Sequence, residues 1–112
     1  MAKILTLTLN PALDVTVSLD ALRTGAVNRA SAQHSHAAGK GLNVAQVLAD
    51  LGHQLSVSGF LGVDNLGPFE ALIEQRGFVD GFIRVPGETR SNIKLVEAGG
   101  QVTDINGPGP EV

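Results

Sequence analysis

With 112 residues, 43% of them hydrophobic and 17% charged, the chain is long enough for one domain with a core, too short for two, and unlike a disordered segment in composition. A net charge of -3 supplies no field to gather nucleic acid or an anionic membrane, so any bound anion must be gripped locally. The absence of cysteine excludes a disulfide framework and thiolate metal sites.

The start, MAKILTLTLN, lacks the charged, apolar and small-residue order of a signal peptide, and no run approaches the roughly 18 apolar residues that span a bilayer. The expectation is a cytoplasmic protein without a membrane segment. Residues 4–9, ILTLTL, read as a strand covered on both faces and stopped by Asn10-Pro11. Two alternating stretches, 13–19 and 28–35, separated by a turn near Thr24-Gly25, read as antiparallel strands with a polar face. From Gly41 the period changes. Val44, Val47, Leu48 and Leu51 stand at i, i+3, i+4 and i+7, which predicts an inward-facing helix of about three turns ended by Gly52.

LSVSGF, 55–60, returns to strand character, and a strand, helix, strand order with this crossover implies parallel pairing. A second helix is expected with Asp64 as its cap, Pro68 in its first turn, Phe69, Leu72 and Ile73 inward, and Gly77 at its end. After the Pro86-Gly87 turn, NIKLVE and QVTDIN flank Ala98-Gly99-Gly100 as a hairpin. The fold class is therefore α/β, with two or three parallel strands and a small β insert. So few strands leave sheet edges uncovered, which gives the expectation that the sequence is the front part of something larger.

The stretch AAGKGLNVA, 37–45, has the look of an anion loop. A P-loop is excluded, because Gly41 rather than Ser or Thr follows Lys40 and no glycine stands five positions before it. A dinucleotide fingerprint is weak, because Val44 occupies its third small position. What remains is a glycine turn feeding a helix N-terminus, where free N–H groups and the dipole favour an anion or hydroxyls. Gly39 and Gly41 would let the backbone approach a ligand, and Asn43 would meet a sugar hydroxyl. The bland alternative is a tight loop with Lys40 solvated.

The run AGKGLNVA from Ala38 to Ala45, with Gly52 and Gly62 following at fixed intervals, resembles the first signature of the ribokinase-like (phosphofructokinase-B) sugar kinase family. TLTLNPALDVTV (6–17), GETRSNIKL (87–95) and TDINGPGPEV (103–112) extend the resemblance over the whole chain. The resemblance implies that residues 1–112 are the N-terminal part of one ribokinase-like, Rossmann-type three-layer domain. A small β-sheet lid would come from about 13–36 and 89–106. It implies phosphorylation of a sugar hydroxyl by ATP and Mg²⁺, with fructose 1-phosphate converted to fructose 1,6-bisphosphate as the leading expectation. Tagatose 6-phosphate and fructose 6-phosphate are the alternatives, and a homodimer through the lid is expected. The nucleotide site and catalytic aspartate of such kinases lie in a Gly-Ala-Gly-Asp segment beyond these residues. The 112 residues are therefore expected to carry the sugar-phosphate side and no catalytic residue, and to be inactive alone. A non-catalytic sugar-phosphate binder is the alternative of another class.

Carried over residue by residue, the resemblance assigns Asp14 to sugar hydroxyls, Gly39, Lys40 and Asn43 to the sugar and its phosphate, and Arg90 to the phosphate. Arg29, Asn92 and Lys94 are further candidates. Each has a bland counterpart: a turn carboxylate for Asp14, and a solvated edge-strand arginine for Arg90. His34 and His36 share one strand face like a metal pair, yet no third ligand stands near, and a lid-face role is the preferred reading.

Overall fold

The computed structural model describes residues 2–110, so Met1 and the last two residues of the TDINGPGPEV segment lie outside the described residues. Strand β1 (Lys3–Thr8) and the next three elements, β2 (Ala12–Leu19), β3 (Ala32–Ala38) and α1 (Lys40–Asp50), follow in chain order. Then come β4 (Gln54–Gly62), a 3₁₀ turn (Val63–Asn65), α2 (Gly67–Arg76), β5 (Val79–Asp80), β6 (Ile83–Val85), β7 (Ser91–Glu97) and β8 (Val102–Asn106).

Two sheets divide these strands. In the first, β1 pairs in parallel with β4, Lys3 opposite Gln54 through Thr8 opposite Gly59. The short β5 and β6 also run parallel to β4. Strands of two and three residues are too brief to leave a periodic signal, which is why sequence reading passed over them. The second sheet has the order β3-β2-β7-β8. Its outer pairs are antiparallel, and the central β2–β7 pair is parallel, Leu13 opposite Ser91 through Leu19 opposite Glu97.

The core lies between the helices and one face of the parallel sheet, where Leu42, Phe69 and Ile73 meet Leu55, Val57, Leu61, Phe78 and Phe82. Each large side chain buried there stabilises the fold by about 1.5–3 kcal/mol. The other face carries Leu5, Leu7 and Leu9, which are 64%, 59% and 61% exposed. The expectation that β1 is covered on both faces is therefore corrected, because both helices pack on the Thr6 and Thr8 side.

Helix α1 is also rotated from its expected setting. Leu42 and Ala45 are buried and Leu48 packs against the core, while Val44, Val47 and Leu51 are exposed. The helix holds two apolar stripes. The one with the small Ala45 wins because the helix start sits hard on β1, as described below. Helix α2 buries Phe69 and Ile73, and Gly77 closes it in the left-handed region at φ 68°. Asp64 belongs to the preceding 3₁₀ turn, and no side chain caps α2. Strand β3 begins at Ala32 and runs to Ala38, later than the 28–35 stretch expected, because Arg23 to Asn28 form their own loop around the Asn28 side chain.

Candidate anion and sugar site

The glycine-lysine loop joins β3 to α1. Gly39 has φ 147°, a conformation that L side chains rarely adopt, and a Cβ on it would stand 2.6 Å from Thr8 Cγ2. A Cβ on Gly41 would collide with Thr8 Oγ1 and stand 2.9 Å from the Leu7 carbonyl oxygen. These glycines therefore first let the helix start settle on the end of β1. Close ligand approach, the role expected from sequence, is at most a second use.

Helix α1 starts without a side-chain cap, so its first backbone N–H groups keep no side-chain acceptor. They open beside a cleft of ≈ 390 Å³ lined by Leu7, Thr8, Leu9, Asn10, Gly39, Lys40, Gly41 and Arg90. Lys40 and Arg90 are its charged members, and no carboxylate within ion-pair distance neutralises either of them among the described residues. Arg90 donates from Nε to the Pro11 carbonyl and from Nη2 to the Asn10 carbonyl, both at 3.4 Å. Two long bonds to neutral acceptors leave most of its charge unspent. Its own carbonyl accepts from the Leu13 N–H at 2.8 Å, which ties its backbone to β2. Two cations at an uncapped helix N-terminus, with no acid among them, make a cleft for an anion.

Asp14 follows one residue later on β2. It stands opposite His36 on β3 and Asn92 on β7, with His36 Nε2 3.7 Å from Asp14 Oδ2. The Asn92 Oδ1 atom is buried and has no hydrogen-bond partner. Asp14, Asn92, His34, His36 and Lys94 thus share one polar face of the second sheet. Lys94 is engaged with Asp104 across the hairpin at 3.2 Å.

Not every expected residue joins the cleft. Asn43 lines a separate hollow with His36 and Pro68, because the β3–α1 junction turns Lys40 and Gly41 toward β1 and Asn43 toward α2. Arg29 lies beyond the far end of β2, near the Ser31 N–H to Ser18 carbonyl bond. Five strand residues, roughly 17 Å, separate that end from Leu13 and Arg90. Within one copy of the chain, Arg29 therefore stands apart from the cleft that Arg90 lines. His34 and His36 find no third partner, and the described residues contain no group of three possible metal ligands.

Sequence reading missed Asn10, whose carbonyl meets Arg90, and Asn65 and Thr89, which hold the segment before Arg90. Thr89 and Asn10 adjoin Arg90 and Pro11 in the quoted motifs. For Asn65, 25 residues from Arg90, no sequence signal existed.

The model of the pfkB family of carbohydrate kinases matches residues 7–111. The 1-phosphofructokinase of Vibrio cholerae is 54% identical over 110 residues, covering 98% of this chain and 35% of that protein. The 1-phosphofructokinase of Xanthomonas campestris is 56% identical over 106 residues, covering 94% and 33%. Among solved structures, Escherichia coli phosphofructokinase-2 in complex with fructose-6-phosphate superposes with a TM-score of 0.83 at 26% identity, covering 100% of this chain and 37% of that one. The chain spans about a third of the length of the curated relatives it matches.

Proposed function

The chain belongs to the pfkB family of carbohydrate kinases, and we propose that it carries the sugar-phosphate side of a kinase converting fructose 1-phosphate to fructose 1,6-bisphosphate. The observation behind this reading is the pairing of Lys40 and Arg90, neither with a carboxylate partner among the described residues, in one cleft at the uncapped start of α1. In this reading Arg90 and Lys40 hold the phosphate already on the substrate. The turn at Gly39 presents the first backbone N–H groups of α1, and Asp14 and Asn92 meet sugar hydroxyls from the adjoining sheet. Asn43 has a weaker claim, since it lines the neighbouring hollow.

Kinases of this family use ATP and Mg²⁺. The residues described here do not fit that pair: no cluster of carboxylates or histidines could hold the metal, and the cleft has cations enough for one phosphate group. These residues alone are expected not to turn over. What they contribute is orientation, because phosphoryl transfer depends chiefly on positioning and charge stabilisation.

The second sheet serves as the lid in this reading. The face that joins the core at Leu13 and Ala37 continues as Val15, Val17, Ile93 and Leu95, with Ile105 51% exposed. A half-covered apolar face of this kind supports lid-to-lid pairing of two copies. No helix among the described residues is long and apolar enough to cross a membrane, and a cytoplasmic site of action is part of the same proposal.

Calorimetric titration with fructose 1-phosphate, fructose 6-phosphate, tagatose 6-phosphate and free fructose tests the reading. Saturable binding of a ketose phosphate, lost in Arg90→Ala and absent for fructose, is the expected result. Equal binding of fructose and its phosphates, or no effect of Arg90→Ala, overturns it.

A further inference from the structure

Arg90 follows a short segment that has no regular structure of its own, yet the Gly87 carbonyl and both backbone polar groups of Thr89 are held. The Asp64 N–H donates to the Gly87 carbonyl at 3.0 Å. The Asn65 side chain then grips Thr89 twice: its Nδ2 donates to the Thr89 carbonyl at 2.8 Å, and its Oδ1 accepts from the Thr89 N–H at 2.8 Å. The Thr89 hydroxyl accepts from the Gly62 N–H at 2.9 Å, and Thr89 is only 2% exposed. A Cβ on Gly62 would collide with the backbone of Glu88 and Thr89. The 3₁₀ turn after β4 is thereby clamped to the residue immediately before Arg90.

From these contacts we infer that Asn65 is a positioning residue for anion binding, acting through Arg90. The inference rests on the reading of the cleft as a sugar-phosphate site. An amide satisfied on both sides by one residue's N–H and C=O fixes the two peptide units flanking that residue in orientation as well as position, as a strand neighbour would. With Thr89 fixed on one side and the Leu13 N–H holding the Arg90 carbonyl on the other, the Cα–Cβ direction of Arg90 is set by backbone. Its own side-chain bonds, both 3.4 Å long, are too weak to set it. The clamp also spans the two sheets, since the 3₁₀ turn continues β4 and Arg90 leads into β7. The cation on the second sheet is thereby registered against Lys40 at the edge of the first.

The test uses the 112-residue chain carrying Asn65→Ala or Asn65→Asp. Aspartate keeps an acceptor for the Thr89 N–H and loses the donor to its carbonyl, so it is expected to fall between wild type and alanine. Two readouts are taken: ¹⁵N relaxation of the Arg90 Nε–H group without ligand, and calorimetric affinity for fructose 1-phosphate. Asn65→Ala is expected to loosen Arg90 Nε and weaken the affinity roughly tenfold. An unchanged Arg90 Nε with unchanged affinity overturns the inference. Either readout moving without the other also overturns it, because the effect would then not pass through Arg90. Failure of the wild-type chain to bind fructose 1-phosphate counts against the functional reading alone, and the relaxation of Arg90 then decides the role of Asn65. Should Asn65→Ala not fold, Asn65→Asp carries the same comparison.

Discussion

Substituting alanine for Gly41 separates two accounts of the glycine-lysine loop by the sign of one number. If the glycine serves only to let a ligand approach, the ligand-free protein should gain stability, since alanine is favoured over glycine within a helix by about 1 kcal/mol. The structure argues otherwise. An added Cβ would lie 2.9 Å from the Leu7 oxygen and 3.1 Å from the Leu7 carbonyl carbon, and would collide with Thr8 Oγ1. Relief to an ordinary contact near 3.5 Å requires about 0.6 Å of movement against Leu7 alone. Leu7 sits in the pairing of β1 with β4 and cannot retreat cheaply. Overpacking of this kind costs typically 1–3 kcal/mol. After the propensity gain is subtracted, a net loss of about 1 kcal/mol remains. With a urea slope of about 1 kcal/mol/M, the unfolding midpoint should fall by about 1 M. The assay is urea denaturation of ligand-free Gly41→Ala beside wild type. A midpoint equal to or above wild type refutes the reasoning. Adding Thr8→Ala removes one of the colliding atoms, so the double variant should lose less than the sum of the two single losses.

Other outcomes follow from the same contacts. Arg90→Ala should remove fructose 1-phosphate binding while moving stability by no more than about 0.5 kcal/mol, because its internal bonds are long; a large loss of stability would make it a structural residue instead. The Arg84 guanidinium, bonding Asp80 at 2.6 and 2.8 Å, holds the Asp80 carboxyl below its ordinary 3.8, with the Phe82 N–H assisting and burial opposing. A depressed carboxylate stabilises fully above its unfolded pKa near 4 and loses that contribution as pH falls through the lower folded value. The wild-type urea midpoint should therefore drop below about pH 4, and Arg84→Gln should show a shallower drop; parallel curves would show that the pair does not matter. Ile93→Asp, placing a charge on the half-covered face of the second sheet, should convert a dimer to monomers in sedimentation equilibrium. A monomeric wild type at high concentration would dispose of lid pairing.

How far the chain was legible depends on the range of the forces involved. Local patterns were strong where one residue type answers one backbone demand. The Gly52 and Gly77 stops, the strand at 55–60 and the hairpin around Ala98-Gly99-Gly100 all stand where the sequence suggests. Periodicity failed at α1, where the chain offers two apolar stripes and only the contact of Gly41 with β1 selects the one through Leu42 and Ala45. It failed again at β1, whose leucines suggest cover on both faces while the described residues cover one. Neither choice can be read within a single element, since each is made by what packs against it.

The candidate site shows the same division at higher stakes. Lys40 and Arg90 are 50 residues apart, and only the parallel pairing of β2 with β7 brings the second sheet's first residues back to the end of β1. Arg29 carries the same charge and lies as close in sequence to the glycine loop as any other arginine, yet the direction of β2 carries it away from that pairing's start. Residue type thus nominates cations, whereas strand direction decides which cation meets the helix N-terminus. The clamp from Asn65 to Thr89 then holds that decision in place. In the proposed reading the second sheet must bring charge to the substrate's phosphate while remaining separate from the first. Two backbone-directed hydrogen bonds from one asparagine meet that requirement with less conformational freedom than a long side chain reaching across the gap.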